Sequence, residues 1–77
     1  MTELLRTIVS ELVEDKSAIV ITQDEPDEEG VVVFHLHVAE PDMGRVIGKQ
    51  GRIAKAIRTV MRASASRQDM KIMVEID

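Results

Sequence analysis

Seventy-seven residues without a cysteine leave room for one small hydrophobic core, with no disulfide framework or Cys-based zinc site to reinforce it. The absence of Trp and Tyr, with a single Phe (Phe34), argues against recognition by stacking on aromatic rings, and no uninterrupted apolar run approaches the ~20 residues that span a bilayer. The net charge of −4 conceals a segregation: Gly44 to Gln68 holds seven basic residues and no acidic one, +7, while the remainder has three basic and fourteen acidic side chains, −11.

Thr2 to about Glu14 carries Leu4, Leu5, Ile8, Val9, Leu12 and Val13 at three- and four-residue spacing, which predicts an amphipathic helix with Thr2 as its N-cap. Nothing in this stretch reads as a signal peptide, so a soluble, cytoplasmic setting is expected. Asp15-Lys16-Ser17 is a connection, and Ala18 to Gln23, rich in β-branched residues, predicts a strand with Ile19 and Ile21 inward. Asp24 to Gly30 predicts a hairpin loop kept in solvent by five carboxylates. These lack the spacing of a calcium-binding loop. Val31 to Val38 predicts a second strand, with Val32, Phe34, Leu36 and Val38 on one face and Val33, His35 and His37 on the other. The two histidines lack a third ligand at a helpful spacing and read as surface imidazoles rather than a metal site.

Glu40-Pro41-Asp42 ends that strand, with Asp42 the expected N-cap of a short helix over Met43 to Ile47. Arg52 to about Ser66 predicts a longer helix. At 100° per residue, Ile53, Ile57, Val60, Met61 and Ser64 share one side, while Arg52, Lys55, Arg58 and Arg62 lie within about a third of the circumference on the other. A solvated face normally mixes charge signs, and this one is uniformly positive. After the turn Gln68-Asp69, Met70 to Ile76 predicts a last strand with Ile72, Val74 and Ile76 inward. The order helix–strand–strand–helix–turn–helix–strand is an α+β arrangement, αββααβ, in which three helices cover one face of a three-stranded sheet.

Between the last two helices stands Gly48-Lys49-Gln50-Gly51, preceded by Val46-Ile47. Glycine accepts positive φ and lets another backbone approach closely. The helix that follows turns its unpaired first-turn N–H groups and the positive end of its dipole towards this turn. Lys49 and Arg52 add full charges there and Gln50 adds hydrogen-bonding groups, a combination suited to a phosphate backbone. The stretch from Gly44 is not a nucleotide-hydrolysing P-loop. It is one residue short between glycines, and Gln50 stands where Ser or Thr must hold magnesium. No nucleophile–base pair or cofactor motif appears elsewhere, so neither catalysis nor a cofactor is expected.

The turn resembles the Gly-x-x-Gly loop of KH domains, which clamps about four nucleotides of a single strand. The αββααβ order resembles the type II KH fold across essentially all 77 residues, and the chain is similar to the small, free-standing bacterial KH proteins. The resemblance implies one KH domain over residues 1–77 that binds single-stranded RNA with low sequence specificity, as a post-transcriptional regulator or RNA chaperone. Gly48, Lys49, Gln50, Gly51 and Arg52 would hold phosphates, with Arg45, Lys55 and Arg58 adding charge. Bases would lie in a groove between the turn's helices and the second strand, near Val46, Ile47 and Ala54. Ala54 stands where KH sequences commonly carry a large aliphatic residue. The resemblance also implies a homodimer, or a heterodimer with a larger, Jag-like protein bearing its own KH domain. The open sheet face, with Val20, Val33 and Met73, is the expected contact.

Overall fold

The computed structural model describes residues 1–76, apart from the side chain of Lys49. Its elements are α1 (Thr2–Ser10), β1 (Val20–Gln23), β2 (Val31–His37), α2 (Glu40–Ile47), α3 (Arg52–Arg67) and β3 (Lys71–Ile76), in the expected order αββααβ. β2 is the central strand of the sheet β1-β2-β3. It pairs antiparallel with β1, placing Ile21 opposite Leu36, and parallel with β3, placing Val32 opposite Ile72 and Phe34 opposite Val74. The parallel pair requires a crossover, and α2, the glycine turn and α3 provide it.

The alternation in β2 puts Val32, Phe34 and Leu36 inward as expected, and Val38 continues that row into the core. Leu5 and Val9 of α1, Val46 of α2 and Ile57 and Met61 of α3 meet them from the helical face, giving one continuous core. Phe34, Leu5, Leu36 and Met61 are fully buried. Side chains of that size contribute about 1.5–3 kcal/mol each by leaving water. Among the described residues, no helix is long and apolar enough to cross a membrane.

Three boundaries depart from expectation. α1 ends at Ser10 rather than near Glu14, and its N-cap is Met1 rather than Thr2. The reason for the early end is tertiary: the N–H groups of Glu14 and Asp15 donate to Oδ1 and Oδ2 of Asp42, each at 3.1 Å, instead of continuing the helix. β1 begins two residues later than expected because Lys16–Ala18 forms a tight 3₁₀ turn. α2 begins at Glu40, not after an Asp42 cap. Pro41 fits the first helical turn, where its missing N–H costs nothing, and Asp42 is engaged with the end of α1.

α3 is rotated from its expected seat. Its buried residues are Ala54, Ile57, Met61 and Ala65, an arc centred roughly 50° from the one that the large apolar residues alone define. Small side chains at Ala54 and Ala65 let the helix backbone approach its neighbours. The rotation leaves Val60 47% exposed, Ile53 partly buried and Ser64 only half-buried.

On the open sheet face Val20 and Met73 are exposed and Val33 is half-buried. His35 lies between two carboxylates, with Nε2 2.8 Å from Asp24 Oδ2 and Nδ1 3.4 Å from Glu75 Oε2. It thus sits between the residue that follows β1 and Glu75 of β3. His37 is exposed. Among the described residues, no cluster of His, Asp and Glu is arranged to hold a metal.

Candidate nucleic-acid interface

The turn between α2 and α3 owes its shape to three successive requirements on the backbone. Gly48 has φ 68° and ψ −176°, a region open in practice only to glycine. A Cβ on Gly48 would also lie 2.7 Å from Cβ of Ile53, inside the first turn of α3. Gln50 (φ 54°, ψ 33°) and Gly51 (φ 80°, ψ 10°) are then both left-handed. The Gly48 N–H donates to the Gly44 carbonyl at 2.8 Å, and the Gly51 N–H to the Gly48 carbonyl at 3.2 Å. Gly51 is the N-cap of α3 and supplies no side chain, so no capping oxygen occupies the first-turn N–H groups. The outer surface is peptide backbone at the positive end of a 16-residue helix, where an anion is stabilised.

The structure divides the sequence-predicted site residues into two groups. Gln50, Arg52, Lys55 and Ile47 are exposed around the turn and along α3, with Arg62 and Arg67 exposed further along the same helix. The Lys49 side chain lies outside what is described, although its backbone belongs to the turn. Arg45 is exposed but pairs with Glu14, Nη2 to Oε1 at 2.8 Å, so part of its charge is already answered. Arg58 is half-buried and donates from Nε to the Val74 carbonyl at 3.1 Å, across the outer edge of β3.

Two expectations about the base groove need correction. Val46 is fully buried and Ala54 is 5% exposed, so neither borders the surface; both support the turn from beneath. The groove also cannot run along the second strand. β2 is hydrogen-bonded to a neighbour on each side, and the strand whose free edge lies beside α3 is β3, where Arg58 spans the gap.

Sequence reasoning missed two supports of this region. Ile53 occupies the space that a Gly48 side chain would need. Asp42 is 3% exposed and ties α2 to the chain after α1. The N–H groups of Asp15 and Glu14 hold its carboxyl below the ordinary 3.8. Arg45 and Lys16 pull in the same direction, and desolvation opposes them. Nothing local marks Asp42 for this role, because its partners are 27 and 28 residues away.

A mixed three-stranded sheet with three helices on one face, and a Gly-x-x-Gly turn between the last two helices, defines a type II KH domain. The comparisons agree. Residues 2–76 match the family described as KhpA/KhpB, KH domain, and the chain belongs to that family. The RNA-binding protein KhpA of Listeria monocytogenes is 51% identical over 76 residues, covering 99% of this chain and 97% of the relative. That of Clostridium acetobutylicum is 46% identical, with 99% of both chains covered. A solved structure of Era in complex with MgGDPNP and nucleotides 1506–1542 of 16S ribosomal RNA superposes with a TM-score of 0.66 at 19% identity. It covers 96% of this chain and 28% of that one, so the likeness is one of fold.

Proposed function

We propose that this chain is a non-catalytic, cytoplasmic RNA-binding protein, a single KH domain over residues 1–77 that grips single strands by their phosphate backbone. The observation that carries the reading is the uncapped N-terminus of α3 behind the Gly48–Gly51 turn, flanked by exposed Arg52 and Lys55. Backbone N–H groups and the helix dipole take the phosphates, and the basic side chains add charge without reading bases. With one Phe and no Trp or Tyr, bases lack stacking platforms, so sequence preference is low. A role as post-transcriptional regulator or RNA chaperone follows from grip without selectivity. The names of the full-length relatives support RNA as the ligand.

The test replaces Lys49 and Gln50 together by Asp. Two negative charges then stand where phosphate sits, on a turn outside the core. Fluorescence anisotropy with a single-stranded RNA should show binding nearly abolished, with the circular dichroism spectrum unchanged. Unaltered affinity in the folded variant would reject the assignment.

A second reading, assembly, is favoured by the apolar side chains that the fold leaves uncovered: Val20 and Met73 on the sheet and Val60 on α3. Its partners are a second copy or a larger, Jag-like KH protein.

A further inference from the structure

β3 is an edge strand, paired with β2 on one side, so its other side carries a row of backbone N–H and C=O groups that the sheet does not use. That edge runs beside α3, the helix that begins at the glycine turn. The bases of a strand held at the turn would find hydrogen-bonding groups there. Stacking offers them no alternative, because Phe34, the single aromatic residue, is fully buried. One group of the edge is already taken: the Val74 carbonyl accepts the Arg58 Nε–H at 3.1 Å. We propose that Arg58 sets the selectivity of the grip, as a latch on the β3 edge that withholds the Val74 carbonyl from the bases. The inference rests on the RNA-binding reading and names the residue that keeps it indifferent to sequence.

Three features make Arg58 a latch rather than a further phosphate contact. The first is burial: Arg52, Lys55, Arg62 and Arg67 of the same helix are exposed, whereas Arg58 is half-buried. The second is the donor. Nε lies at the base of the planar guanidinium, so a bond from it brings the whole plane against the strand. The third is room. A long side chain on a helix lies back over the turn before it, which for Arg58 is the turn that contains Ala54. Ala54 is small and 5% exposed, so the Arg58 stem can pass over it to reach β3. A larger side chain at Ala54 would compete for that space.

The group that is withheld decides which bases would notice its release. A bare backbone carbonyl accepts a hydrogen bond from an amino group. Cytosine carries an amino group where uracil carries a carbonyl oxygen, and the two rings are otherwise alike in shape. With Arg58 on the Val74 oxygen, the edge meets both pyrimidines alike. With the guanidinium removed, the same oxygen rewards cytosine and is repelled by the uracil carbonyl.

The test uses Arg58→Met, which keeps the stem and removes the guanidinium, with circular dichroism to establish that the variant is folded. Fluorescence anisotropy with short cytidine and uridine oligonucleotides should show the wild type binding the two alike. Arg58→Met should favour the cytidine strand by about fivefold, the size of one net hydrogen bond, with its salt slope unchanged. A second measurement needs no variant: in the wild type, the Arg58 Nε–H resonance should keep its position and its slow exchange when either strand saturates the protein. Equal weakening of both strands by Arg58→Met, with a flatter salt slope, would overturn the latch by making Arg58 a phosphate contact. A wild-type preference that Arg58→Met abolishes would overturn it by making Arg58 a reader of bases, and release of the Nε–H on binding would overturn it directly. The double Asp variant at Lys49 and Gln50, titrated alongside, separates the two readings. If it loses binding while Arg58→Met gains no preference, the latch falls and the grip stands; if it binds as the wild type does, both fall.

Discussion

Gly48 and Gly51 look equivalent in the sequence and differ in the fold. Both have positive φ, but only Gly48 would drive a side chain into another residue; around Gly51 a Cβ meets nothing within 4 Å. Gly51→Ala should therefore cost about 1 kcal/mol, the penalty of a left-handed alanine. Gly48→Ala should cost about 2 kcal/mol or more, since its strained region adds to the overlap with Ile53. Urea denaturation midpoints would rank the two. The motif was legible in the sequence, whereas the asymmetry within it depends on a contact across the turn. Asp42 was misread for the same reason, because a carboxylate after a proline looks like a helix cap until its distant partners are known. Its folded pKa lies below the ordinary 3.8, so its contribution is complete above that value and is lost as pH falls through the depressed one. Stability should thus drop on acidification below about pH 4, and Asp42→Asn should shrink the difference between urea midpoints at pH 6 and pH 3.

At the level of elements, β2 was the most legible because one buried face imposes a strict period of two. α3 is recognisable as a helix, and of the residues that share its apolar side Ile57 and Met61 are buried while Val60 is not. Hydrophobicity weighs Val60 above Ala54 and Ala65, whereas close packing rewards the small residues that let backbones approach. The same rotation brings Arg58 against the Val74 carbonyl and keeps Arg52 and Lys55 in solvent. These basic residues should therefore behave differently. On the proposed grip, Arg52→Ala with Lys55→Ala removes two phosphate contacts and should lower the slope of log affinity against log salt by roughly 1.4, at about 0.7 per contact on a single strand. A titration in potassium chloride measures it, and an unchanged slope would mean that the helix face does not touch RNA. Arg58→Ala should instead lower the unfolding free energy by about 1 kcal/mol through the lost bond to β3.

For the whole molecule, the sum of charges was the misleading quantity and their distribution the informative one. The basic block lies within the crossover that joins β2 to β3, from Gly44 onward, and the acidic residues flank it in α1 and the connection after it, the hairpin, the first turn of α2 and β3. That coincidence was legible as charge; the parallel pairing that makes the block a crossover was not, because strand direction leaves no mark on composition. Its register has a further consequence. Every β2–β3 partner pair, from Val31–Lys71 to Leu36–Ile76, is forty residues apart, whereas β1 and β2 meet through a short hairpin. The basic segment is thus enclosed in a long loop whose closure is the parallel ladder itself. α3 is tied to β3 by the Arg58–Val74 bond and by a shared core, so the two are expected to open together, whereas β1 is joined to β2 through a short hairpin. Native-state hydrogen exchange should show the β3 amides and the middle of α3 opening together at the highest free energy in the chain, with β1 exchanging through smaller, local openings. Protection of β1 equal to that of β3 would mean that the sheet opens as one body.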